Sequence, residues 1–100
     1  MLVGVQRLDI RLYGTQSLKQ KRSQVSRLVN RLRSRYPVSV AEVGHRELHQ
    51  RVMLGISMTA GSKAQLDMVF RNIEEEIYSS GVTELLNSDV EFLHYGEDVC

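Results

Sequence analysis

The densest group of side chains that could do chemistry in this 100-residue chain is basic, and its seven members lie between Ser17 and Tyr36. No carboxylate occurs from Ile10 to Ala41. A four-residue spacing aligns three arginines along one face if the stretch is helical, and each like-charge pair then opposes the helix by about 0.2–0.5 kcal/mol. Because arginine suits planar, bidentate contact with phosphate or carboxylate, the stretch predicts a surface that meets an acidic partner. The seven residues are Lys19, Lys21, Arg22, Arg27, Arg31, Arg33 and Arg35.

Two interpretations of this basic stretch stay open. Residues 1–63 hold twelve Lys/Arg against three acids, a net +9, whereas residues 64–100 hold one against nine, a net −8. The first interpretation is a surface for RNA or a ribosomal assembly, formed by the outward-facing Lys19, Arg27, Arg31 and Arg33. It rests on charge alone, because the four tyrosines are scattered and form no base-stacking platform.

The second interpretation pairs the same cations with acidic side chains, either of this chain or of a protein partner. The run from Glu74 to Glu76 lies on a second predicted helix beside the first. We expect such pairing first at the residues that flank the apolar stripe of the basic helix, which are Lys21, Arg22 and Arg35.

The sequence contains little that indicates an enzyme or a metal site. His45 and His49 do not form the HExxH pattern, and we interpret both as exposed loop histidines. Glu42 lies in an apolar strand, where we expect it to pair with Arg51 or with an arginine of the basic helix. An enzyme that uses Glu42 and His49 is a third interpretation, ranked below the other two. The glycines form no phosphate-binding loop, and the lone Cys100 excludes an internal disulfide, so we predict no catalytic set, cofactor or metal.

The elements that must position these residues follow from periodicity. Alternating and β-branched segments predict strands, and Ser17 and Ser62 each begin a capping box before an apolar stripe of helical spacing. The order βαββαβ predicts an α+β, ferredoxin-like fold, with a four-stranded antiparallel sheet and both helices on one face. The predicted strands are Leu2–Leu12, Val38–Gly44, Val52–Ala60 and a weaker Asp89–Tyr95, and the helices run from Ser17 to Tyr36 and from Ser62 to a left-handed cap at Gly81.

The chain length predicts a single domain over residues 1–96, with 97–100 as a flexible tail. Helices on one side leave the other sheet face bare, and Val3, Val5 and Met53 lie on it. Because an apolar face needs a cover, we predict a homodimer formed there. No apolar run approaches the roughly 18 residues of a membrane span, so we expect a cytoplasmic protein with no membrane and no DNA partner.

Four stretches of the sequence are recognisable together: Ser17–Arg22, Arg31–Arg33, Val38–Val43, and Leu48–Arg51 leading to Leu54-Gly55. On these stretches the chain resembles the YlxP-like family of small bacterial proteins of unknown function. The resemblance implies a ferredoxin-like fold and a bacterial cytosolic protein whose family genes often lie near those for translation and ribosome maturation. It implies no established activity. Where the family commonly has Leu-Trp-Gln, this chain has Leu48-His49-Gln50, so a role for an aromatic side chain there does not transfer.

Overall fold

The computed structural model describes residues 1–96, and the tail predicted at 97–100 lies outside the described residues. The predicted order βαββαβ is confirmed. The elements are β1 (Leu2–Leu12), α1 (Leu18–Arg35), β2 (Ser39–Gly44), β3 (Arg51–Ala60), α2 (Lys63–Ser79) and β4 (Thr83–His94). Neither described helix is long and apolar enough to cross a membrane.

The four strands form one antiparallel sheet in the order β2-β3-β1-β4. Both helices pack on one face of it, as the ferredoxin-like prediction requires. The strand residues that point to the helices alternate with residues on the bare face, because successive side chains of a strand point to opposite sides. The core contains Leu8 and Ile10 of β1, Leu54 and Ile56 of β3, Leu28 and Leu32 of α1, and Leu66, Phe70 and Ile73 of α2.

The helix starts are confirmed, and one predicted helix end is wrong. The hydroxyl of Ser17 accepts the amide N–H of Gln20 at 3.1 Å, and Ser62 does the same for Gln65 at 3.3 Å. At the end of α2 the cap is Ser80, with extended backbone angles (φ −76°, ψ 130°). The expected left-handed glycine cap at Gly81 is therefore absent, because the chain leaves the helix directly into the extended path toward β4.

The last strand begins six residues earlier than the sequence predicted. It runs from Thr83 to His94, and its pairing with β1 shifts by one residue where Ile10 faces Leu85 but Asp9 faces Asn87. Leu86 is thus the extra residue of a β-bulge. The bulge interrupts the two-residue alternation, which is why the first half of β4 does not look like a strand in sequence.

Gly4 sets how closely α2 approaches the sheet. A Cβ atom at this position would lie 2.7 Å from Cε2 and 2.9 Å from Cζ of the Phe70 ring. Phe70 is buried in the core, so its ring has little room to move away. Only glycine allows this contact without displacing the helix.

We therefore predict that Gly4→Ala destabilises the protein. The added methyl overpacks the core, and such changes cost about 1–3 kcal/mol of unfolding free energy. The matched control is Gly61→Ala, where no atom lies within 4 Å of the added Cβ. Urea unfolding measures both, and equal midpoints for the two variants would contradict the close-approach argument.

Candidate functional site

The basic helix α1 presents six exposed cations and one buried one. The exposed residues are Lys19, Arg22, Arg27, Arg31, Arg33 and Arg35, while Lys21 is only 2% accessible. Some of these cations pair with a carboxylate of α2, and others contact a carboxylate or backbone carbonyls in and just after β2. The rest have no acidic partner within residues 1–96.

Glu76 of α2 pairs with two arginines in the second half of the helix. One of its oxygens lies 2.6 Å from Nη1 of Arg35, and the other lies 3.3 Å from Nε of Arg31. Its side chain is 13% exposed, and the Tyr36 hydroxyl also donates to it at 3.3 Å. Burial, together with the negative charge of Glu76, raises the pKa of Tyr36. Pairing within the subunit, expected for Arg35, therefore extends to Arg31, which the RNA interpretation took as free.

Arg27 differs from its two neighbours on the same face. Its guanidinium donates to the hydroxyl of Ser23, at 3.1 Å on its own helix. Among residues 1–96, no carboxylate lies within ion-pair distance of Arg27, Lys19 or Arg22. Arg33 donates to the carbonyl of Val40 at 2.7 Å, so it braces the edge strand β2 while remaining exposed.

Lys21 is buried because it belongs to the inward stripe of α1. Its position precedes Val25, Leu28 and Leu32 at helical spacing, and all four are buried. Its ammonium donates to the carbonyl of His45 and lies 3.0 Å from Oε2 of Glu42. The carboxylate expected to pair with Arg51 or a helix arginine thus pairs with a helix lysine. This pair could have been recognised in the sequence, because Lys21 lies on the apolar stripe of the helix and Glu42 is the acid of the following strand.

A second charge cluster lies on the bare sheet face. Arg51 binds Asp9 through two hydrogen bonds of 2.7 and 3.2 Å, and Nε2 of His45 lies 3.3 Å from the same carboxylate. Burial works to raise the pKa of Asp9, but the hydrogen bonds and charge of Arg51, aided by His45, outweigh it and lower that pKa. Arg51 was expected to meet Glu42; it meets Asp9 because that residue lies on the same face of β1.

The two histidines are therefore not alike. His45 is half-buried in a left-handed conformation (φ 60°), so its interpretation as an exposed loop histidine is wrong. His49 is exposed, and its carbonyl accepts the Thr15 hydroxyl at 2.6 Å. The part of the chain that the structure describes holds no cluster of three potential metal ligands. No hydrogen bond in residues 1–96 joins Glu42 with His49, the pair of the enzyme interpretation.

The bare face contains a shallow hollow of about 480 Å³. Small residues of β2 and β3 form its floor, and Val5 of β1 lines one side. Val3 and Met53 lie on the same face outside the hollow, with Leu93 beside Val3 on β4. The predicted apolar patch thus exists as a broken strip. The hollow is lined by Val5, Ser39, Ala41, Val43, Gly55 and Ser57, with the ion pair of Arg7 and Asp89 (2.8 Å) at its rim.

Comparison with known proteins decides the family. Residues 3–90 match the family described as "Protein of unknown function (DUF503)". The chain belongs to this family. A relative in Bacillus subtilis (strain 168), described as "Uncharacterized protein YlxP", is 26% identical over 72 residues, which cover 72% of this chain and 78% of the relative. The resemblance to YlxP-like proteins is therefore confirmed, and DUF503 carries no described activity.

Two solved structures are similar to this DUF503 protein in fold alone, and both share little sequence identity with it. The crystal structure described as "Putative Chlorite dismutase" matches 92% of the chain with a TM-score of 0.53 and 12% identity. The matched part is 44% of that protein, less than half of its length. A de novo designed protein with the ferredoxin fold matches 93% of the chain and 84% of the design, with a TM-score of 0.49 and 17% identity.

We predict that Lys21→Met destabilises the protein although it keeps an apolar stem of similar length. The change leaves the Glu42 carboxylate without its partner. Removing one member of a buried ion pair costs about 3–5 kcal/mol, and the 25% exposure of Glu42 places the expected loss near the lower end of that range.

Lys19→Met is the matched control, since Lys19 is exposed on the same helix. We expect its unfolding midpoint in urea to stay near that of the wild type. If the two variants unfold at the same urea concentration, the buried pair does not stabilise the fold.

Proposed function

We propose that this protein is a small cytoplasmic, non-enzymatic module that binds RNA through the outer face of α1. One observation carries the proposal: Arg27 is an exposed guanidinium in the middle of the basic helix, and its hydrogen-bond partner within residues 1–96 is the hydroxyl of Ser23. Arginine in such a position is free to form bidentate hydrogen bonds with a phosphate group.

The charge balance of α1 supports the same conclusion. The helix holds seven cations, and two carboxylates of residues 1–96 contact them: Glu42 for Lys21, and Glu76 for Arg31 and Arg35. The excess of five positive charges remains on one helix of a small domain. A concentrated positive field of this kind attracts a polyanion and releases its counterions on binding.

The family adds an indication of which RNA is meant. YlxP-like genes often lie near genes for translation and ribosome maturation, so we propose ribosomal RNA within an assembling ribosome as the target. This step rests on analogy with the family, and the charge argument does not depend on it.

A second candidate function is self-association through the bare sheet face. Four strands that are spaced about 4.8 Å apart and average about ten residues give a face of roughly 600 Å² per protomer, so two copies reach the roughly 1,200 Å² at which stable interfaces begin. Three ion pairs within the subunit neutralise six charged side chains of this face, while Glu91, which also lines the hollow, forms no ion pair within residues 1–96. The pairs are Arg7–Asp89, Arg11–Glu84 and Arg51–Asp9.

For the RNA proposal, we predict that Arg27→Glu weakens binding of a structured RNA hairpin while leaving the melting temperature unchanged. Loss of one phosphate contact should reduce the slope of log affinity against log salt by about 1. Fluorescence anisotropy over a range of salt concentrations measures both affinity and slope.

The matched control for charge is Arg71→Glu, an exposed arginine on α2 that makes the same change in net charge. We expect it to retain most of the affinity. Equal losses for both variants would show that the RNA responds to net charge only, and the proposed site on α1 would be wrong.

For the dimer, we predict that Val43→Glu dissociates the protein to monomers at high micromolar concentration, because it places a charge within the apolar hollow. Met68→Glu on α2 is the control, since the two wild-type side chains are 55% and 56% exposed. Sedimentation velocity distinguishes the states. A wild-type protein that is monomeric at that concentration would exclude this interface.

A further inference from the structure

A small groove separates α1 from the segment that joins α2 to β4. Its volume is about 200 Å³. Apolar surface comes from Leu28 and from Val82, which is half exposed. The groove opens beside Arg27 of the proposed RNA surface, and Arg31 lines it as well.

Gln24 gives this groove its chemical character. Its amide oxygen is buried, yet no hydrogen-bond donor within residues 1–96 reaches it. An unpaired buried acceptor of this kind costs about 1–3 kcal/mol. Gln24 lies one helical turn before Arg27, and side chains at that spacing are neighbours on the helix surface. The groove therefore combines an amide that lacks a partner, apolar walls and an adjacent free guanidinium.

We propose that this groove receives one unpaired nucleobase of the bound RNA, which deepens and rests on the RNA-binding function proposed above. The Gln24 side chain rotates so that its amide oxygen, which is buried without a donor in the unbound protein, accepts a hydrogen bond from the edge of the base, and the phosphate of the same nucleotide lies on Arg27. The guanidinium of Arg31 is held in place by Glu76 and offers a planar surface against which the base stacks.

The size of the groove determines the class of RNA. A volume of about 200 Å³ holds one planar heterocycle and has no space for a base pair. Bases within a continuous A-form duplex are inaccessible to such a groove, whereas bases in bulges and loops are splayed outward. The partner is thus RNA with an unpaired nucleotide beside a helical stem, and the groove substitutes for the aromatic platform that the chain lacks.

The test compares two RNA hairpins with the same stem, one fully paired and one with a single-nucleotide bulge. We expect the wild-type protein to prefer the bulged hairpin by about ten-fold in anisotropy titrations, since one buried hydrogen bond and one stacked base contribute on that order. Replacing the bulged nucleotide with an abasic residue should remove the preference.

Two protein variants locate the preference in the groove. Gln24→Met keeps the length of the side chain but removes the amide, and Val82→Trp fills the groove from an exposed position. We expect each variant to bind both hairpins with the affinity that the wild type has for the paired one. Melting temperatures near that of the wild type establish that both variants fold. If Gln24→Met does not fold, the Val82→Trp variant still tests the groove.

The outcomes separate this inference from the function on which it rests. If Arg27→Glu weakens both hairpins but neither groove variant changes the preference for the bulge, the base is not bound in the groove. If the wild type shows no preference at all, the groove binds no base. If Arg27→Glu has no effect on either RNA, the proposed function itself is wrong.

Discussion

Burial of the Lys21 ammonium constrains both sides of the sheet. A buried cation is costly unless it is paired and hydrogen-bonded, and here Glu42 and the carbonyl of His45 fulfil both conditions. To direct its carbonyl at the helix, His45 adopts a left-handed backbone conformation, while its ring lies against Asp9 on the bare face. The end of the β2–β3 hairpin is therefore fixed from both sides by a single residue.

The distribution of acids on α2 determines which cations of α1 remain free. Three successive glutamates point in different directions, because each helical residue is rotated by about 100° from the last. Glu74 turns inward and accepts from Gln6 at 2.9 Å and from Ser88 at 2.6 Å, whereas Glu76 faces α1. Glu75 is exposed. Of the three, only Glu76 forms ion pairs with the basic helix, and these involve Arg31 and Arg35 but not Arg27.

Periodicity and capping residues were enough to predict the fold. The apolar stripes of both helices, Ser17 and Ser62, and the alternation in β1 each reflect a local rule. The site could not be predicted in the same way, because its charge pairs depend on tertiary contacts. Nothing in the local sequence distinguishes Arg31, which meets Glu76, from Arg27, which does not. The buried groove oxygen of Gln24 has no sequence signal either, because glutamine in a helix is ordinarily solvated.

The bulge at Leu86 affects how readily other chains can add a strand to the exposed edge of the sheet. β4 is a twelve-residue edge strand, and an edge of that length in a flat ladder would be a template onto which other chains add strand by strand. The extra residue bends and twists this edge away from such pairing. Deletion of Leu86 would leave the orientation of every later side chain unchanged, because Leu85 and Asn87 are already paired with the adjacent residues Ile10 and Asp9 of β1. The bulge therefore makes this long edge a poorer template for the addition of another strand than an unbroken ladder would be.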